Sequence, residues 1–97
     1  MKTYAILRRD GWRTPEELRE AAGRSAALGE TMPDQVRWIR SYVVEEPGGT
    51  LGTVCIYEAT DPEAIRLHAR GAELPATEIF PVADTVIVRE DPVPAAQ

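Results

Sequence analysis

Apolar and polar positions alternate most clearly between residues 36 and 59. Two runs there, 36–44 and 50–59, are rich in β-branched and aromatic residues, and the joint 45–49 carries Pro47 and the Gly48-Gly49 pair, so the segment reads as a hairpin. Side chains alternate between faces along a strand. Trp38, Arg40 and Tyr42 therefore share one face, opposite Ile39, Ser41 and Val43; on the second strand Thr53, Cys55 and Tyr57 lie opposite Val54 and Ile56. Matching faces by chemistry sends Ile39, Val43, Val54 and Ile56 to a core. It leaves a second face of aromatics, an arginine and a thiol, where any function should sit.

The flanking segments supply the other elements. Residues 3–8 alternate weakly before a turn at 9–13 and read as a first strand. Thr14-Pro15-Glu16-Glu17 announces a helix: Thr14 as N-cap, Pro15 at the first helical position, Glu17 as capping-box partner. Leu18, Ala21, Ala22, Ser25 and Leu28 form its inner stripe, Gly29 ends it, and 30–35 is a loop. Asp61-Pro62-Glu63 repeats the start signal for a second helix that runs to about Arg70 and stops at Gly71, with Ile65, His68 or Ala69, and Ala72 facing inward. A last strand covers 79–89, most regular at 85–88, and Pro81 assigns it to a sheet edge because proline donates no ladder hydrogen bond.

The order βαββαβ predicts an α+β, ferredoxin-like fold, a four-stranded antiparallel sheet with both helices on one face. The other face, expected to carry Tyr4, Ile6, Trp38, Tyr42, Cys55, Tyr57 and Ile87, is too apolar for a soluble monomer. A second copy is the simplest cover, giving a homodimer through the open sheet face, a dimeric α+β barrel about a two-fold axis.

Length and charge narrow the classes. The 97 residues allow one domain, assigned to 1–90, followed by a flexible C-terminal tail, 91–97. Hydrophobic content of 43% and charged content of 28% fit a soluble globular chain and not a membrane protein. The start has no signal-peptide pattern and the single Cys55 allows no internal disulfide, so the expected location is cytoplasmic. A net charge of −5 repels phosphate backbones and argues against a nucleic-acid partner; Arg8-Arg9 and Arg37/Arg40 are local exceptions.

Three stretches carry a family resemblance: Val36-Arg37-Trp38-Ile39-Arg40-Ser41-Tyr42-Val43, Cys55-Ile56-Tyr57-Glu58-Ala59, and Asp61-Pro62-Glu63-Ala64-Ile65-Arg66-Leu67-His68-Ala69-Arg70 followed by Leu74-Pro75. The sequence resembles the small actinobacterial-type proteins of the DUF4242 family, which includes nickel-binding, nickel-responsive members. The resemblance implies a dimeric ferredoxin-like fold and the binding of nickel or another divalent metal, here through His68 and Cys55 or nearby carboxylates.

Each candidate has a chemical and a plainer reading. His68, the only histidine, is a metal ligand or a general base, or else a buried helix residue bonded to backbone. Cys55 is a soft metal ligand or a small buried hydrophobe. Arg40 with Trp38, Tyr42, Tyr57 and Tyr4 makes a ligand-binding set, with the guanidinium on a carboxylate or phenolate between aromatic walls, or else the same residues pack and pair at the dimer interface. Beside the metal-binding reading stands a cofactor-free enzyme of cyclase, isomerase or monooxygenase type acting on an aromatic or polyketide-like small molecule. His68 would be its base, and Arg40 with a tyrosine would hold an enolate-like oxygen. A module that only assembles is the third reading.

Overall fold

A computed structural model of the protein describes residues 1–93. The elements are β1 (Lys2–Trp12), α1 (Pro15–Gly29), β2 (Val36–Glu45), β3 (Leu51–Ala59), α2 (Pro62–Ala72) and β4 (Glu78–Pro81). The strands form one antiparallel sheet in the order β2-β3-β1-β4, with both helices against one face, so the expected ferredoxin-like α+β fold is present. None of the helices among the described residues is long and apolar enough to cross a membrane.

Local chemistry starts the helices where the sequence says. Thr14 Oγ1 accepts from Glu17 N–H at 3.2 Å, and Glu17 Oε1 accepts in return from Arg13 N–H at 2.8 Å, a capping box displaced by one residue. Asp61 Oδ1 accepts from Ala64 N–H at 2.9 Å and caps α2. The second helix does not stop at Gly71. It continues to Ala72 and ends on Glu73, in the left-handed region at φ 58°. Gly71 serves packing instead, because a Cβ there would lie 2.6 Å from Leu28 Cδ2 on α1.

On β1 and β3 the sheet faces are the reverse of the expected ones. Tyr4, Ile6, Val36, Cys55, Tyr57 and Ala59 are buried beneath the helices with Ala64 and Ile65, whereas Val54 and Ile56 point to the open face and Ile39 and Val43 are exposed. Burying Ile6 or Ile65 in full contributes roughly 1.5–3 kcal/mol each. On β1 and β3 both faces are apolar, so alternation alone leaves the choice open. On β2 a bulge changes the pattern: Trp38 pairs with Tyr57 but Arg40 pairs with Ile56, leaving Ile39 as the extra residue. Trp38 therefore joins Ser41 and Val43 on the helix side, while Arg40 and Tyr42 face the other way.

The last strand is shorter than 79–89. Pairing runs from Leu7–Glu78 to Tyr4–Pro81, and Val82 N–H adds a bond to Thr3 O at 2.9 Å. Each step moves toward Lys2, the first residue of β1, so the ladder has run out before residues 85–88. These are unpaired and bend at Val88, with Val86, Ile87 and Val88 at 86%, 77% and 80% exposure. β4 is an edge strand, as Pro81 requires. Asp91, at the start of the expected tail, accepts from Arg40 Nη1 at 2.8 Å and from the Tyr42 hydroxyl at 2.7 Å, so the chain returns to β2 across the open face. Residues 94–97 lie outside the described residues.

Candidate functional site

A cleft of about 210 Å³ opens between α1 and the β2–β3 half of the sheet. Its floor comes from alternate residues of three strands: Arg8 of β1, Thr53, Cys55 and Tyr57 of β3, and Trp38 and Ser41 of β2. Its roof is the small-residue stripe of α1, Ala21, Ala22 and Ser25, with Leu18. Small side chains above leave room for large ones below, and the space between is not fully filled.

Polar groups in the floor form a directed chain. An indole N–H can only donate, so Ser41 Oγ accepts from Trp38 Nε1 at 2.7 Å. The Ser41 proton then goes to Cys55 Sγ at 3.0 Å, and the Cys55 S–H to Thr53 Oγ1 at 3.2 Å. The Thr53 proton is left as a donor. Arg8 is 2% exposed; its Nη1 donates to Pro75 O at 2.6 Å and its guanidinium carbon lies 5.9 Å from the Tyr57 ring centroid. Arg8 Nη2 is buried with no hydrogen-bond partner, and among the described residues no carboxylate lies within 4.0 Å of the guanidinium.

Tyr57 stands at the centre of the covered face. It stacks on Trp38 at 6.0 Å with planes 6° apart, tilts against His68 at 5.7 Å, and shares a 3.0 Å hydrogen bond with Ser25 Oγ. Burial pushes its hydroxyl above the ordinary tyrosine value, with the Ser25 bond and the Arg8 charge opposing. His68 is fully buried behind it. Its Nε2 lies 3.0 Å from Ser25 O, and because a carbonyl only accepts, Nε2 carries the proton and Nδ1 the lone pair, which has no partner. Burial holds the ring below its ordinary value of 6.5; the Arg8 charge acts in the same direction and the Ser25 bond against it. A second cleft of about 300 Å³ reaches His68 from the far side, past Gly29, Pro33, Val36 and Arg37.

The candidate residues therefore divide. Trp38, Tyr57 and Cys55 line the first cleft, and Tyr4 is core beside it. His68 belongs to the second cleft, with Tyr57 and Ser25 between it and Cys55. Arg40 and Tyr42 are on the opposite face with Asp91, whose carboxylate the Tyr42 hydroxyl and then the Arg40 guanidinium hold below its usual range. Arg8 and Thr53 were not singled out from the sequence. The signal was there: in Tyr4, Ile6, Arg8 an arginine extends a buried period-two row.

Residues 4–82 match the family of nickel-responsive proteins described as SCO4226-like. The chain belongs to this family. The crystal structure of SCO4226 from Streptomyces coelicolor A3(2) is similar to it with a TM-score of 0.67 at 19% identity, covering 87% of this chain and 99% of that one, a likeness of fold. No curated protein matches the sequence. Membership of the SCO4226-like family raises the question of a nickel site. Among the described residues no three histidine, cysteine, aspartate or glutamate side chains converge as a metal-holding group. The lone pair of His68 Nδ1 is one donor, and the Cys55 thiol is tied to Ser41 and Thr53. The described residues of one chain do not bring together a complete set of ligands.

Proposed function

We propose that this protein serves the nickel response as a homodimeric cytoplasmic binding protein, joined through its open sheet face and binding through its covered face. One observation favours binding over catalysis: His68 lies behind Tyr57 while Arg40 projects from the other side of the sheet, so the base and the oxyanion partner of an enzymatic site do not meet. The lone, disulfide-free Cys55 suits a reducing compartment. Family membership supports the link to nickel, and the exposed apolar residues Tyr42, Phe80, Val86, Ile87 and Val88 support self-association.

Direct metal binding, as in the nickel-binding members of the DUF4242 family that the sequence resembles, is the second reading. The partnerless Nδ1 of His68 favours it. It requires donors that the described residues of one chain do not bring together, and burial of the ring works against ligation. Metal analysis by mass spectrometry on untagged protein, purified without chelator and offered nickel and zinc, decides between the readings. We expect no stoichiometric metal. A metal bound in stoichiometric amount and lost in His68→Ala would overturn the first reading and establish the second.

A further inference from the structure

We propose that the cleft beneath α1 is a binding site for a small aromatic or short apolar monocarboxylate, with Arg8 and Thr53 as its anchors. Three observations converge on that chemistry. The first is the unpartnered Arg8 Nη2 on a guanidinium 2% exposed. A buried cation without a counter-charge costs several kcal/mol, and an anion entering the cleft would remove that cost. The second is the direction of the hydrogen-bond chain. Because Trp38 can only donate, the run through Ser41 and Cys55 ends on a Thr53 hydroxyl whose proton is free. Two donors without an acceptor thus lie in the floor, both covered by an almost wholly apolar lining, and a ligand that reaches them must accept.

The third is the charge of the lining. In a chain of net charge −5, the described side chains around the cleft include no aspartate or glutamate, and of its two arginines Arg19 is exposed and paired with Glu16 at 3.2 Å, which leaves Arg8 as the uncompensated charge. Arg8 commits Nη1 to Pro75 O, so one face of the guanidinium is available, which suits a monoanion more than a phosphate. The remaining walls are apolar: Trp12, Leu18, Val43, Leu74 and the aromatic faces of Trp38 and Tyr57. A cavity of about 150 Å³ takes up benzene, so about 210 Å³ accommodates one ring with a carboxylate. This inference concerns the ligand class and does not depend on the metal or the dimer.

Both tryptophans of the chain line the cleft, so intrinsic fluorescence reports its occupancy. Full-length protein is titrated with benzoate and phenylacetate, and with benzamide as the neutral control of similar shape. Saturable change with the carboxylates, at least about tenfold weaker for benzamide, is expected, since hydrogen bonds to a charged group are stronger than those to a neutral one. Arg8→Gln should weaken carboxylate binding by about tenfold or more and leave benzamide unchanged. Ala22→Phe keeps the guanidinium and fills the cleft from α1, so it should abolish binding of both even if Arg8→Gln folds poorly. No saturable change with either carboxylate at millimolar concentration, equal binding of benzamide, or carboxylate binding that survives Ala22→Phe in folded protein would overturn the proposal.

Discussion

The two faces of the sheet are built from the same three long strands and differ in what they carry. The covered face holds the large, polar-tipped Tyr4, Arg8 and Tyr57 with the smaller Thr53 and Cys55, under helices whose inner residues are mostly alanine, with Ser25 on α1 and Ile65 and His68 on α2. The open face holds the aliphatic Ala5, Leu7, Val54 and Ile56 together with Arg40 and Tyr42, whose polar ends meet Asp91. Hydrophobicity alone does not decide which face a helix covers. Complementarity of size does: the alanines and serine of α1 and α2 leave depth for aromatic rings and a guanidinium, and the other side, with its smaller aliphatic residues, stays uncovered by helices.

The largest expected effect separates the faces by stability. Tyr57→Ala removes a buried ring that contacts Trp38, His68 and Ser25, and should cost about 3–5 kcal/mol in urea unfolding. That loss should be the same at low and high protein concentration. Ile56→Ala, on the open face, should cost less, and its cost should grow with concentration as the dimer it weakens becomes populated. Equal, concentration-independent losses would erase the distinction between the faces.

How far the sequence reveals this arrangement depends on which signals are local. The helix starts are legible because Thr14 and Asp61 act within three residues of themselves. The ferredoxin-like order follows from element order alone. The choice of face was not legible from β1 or β3, where both sides are apolar, and on β2 the bulge at Ile39 defeats strict alternation. The regular run at 85–88 has the pattern of a strand, yet its register places it beyond the first residue of its partner; pairing is a long-range property that a local pattern does not contain. For the site, Trp38, Tyr57 and Cys55 are legible as members of one aromatic and thiol-bearing face, whereas Arg8 reads from the sequence only as part of a local exception, with Arg9, to the negative net charge.

A second test sharpens the role of the open face. Ile87→Asp places a charge in the exposed apolar run and should weaken self-association by about tenfold or more in sedimentation velocity, with the far-ultraviolet spectrum unchanged. The smallest effect belongs to pH. His68 is held neutral by burial, so below about 6.5 the unfolded chain takes up a proton that the folded chain refuses, and stability falls as pH falls. Above that value this group contributes no slope. Denaturation curves between pH 5 and 8 should show the fall, at most about 1.4 kcal/mol per pH unit from one group, and His68→Gln should flatten it. Identical slopes in both proteins would mean that other groups control acid sensitivity.

The division of labour between the faces is tested most directly by native mass spectrometry of three untagged proteins, wild type, Arg8→Gln and Ile87→Asp, each with phenylacetate. The account predicts a two-chain mass carrying two phenylacetate molecules for the wild type. It predicts two chains without ligand for Arg8→Gln, and a shift toward single chains that keep one ligand each for Ile87→Asp. A single-chain wild type, or ligand lost with Ile87→Asp and kept with Arg8→Gln, would contradict it.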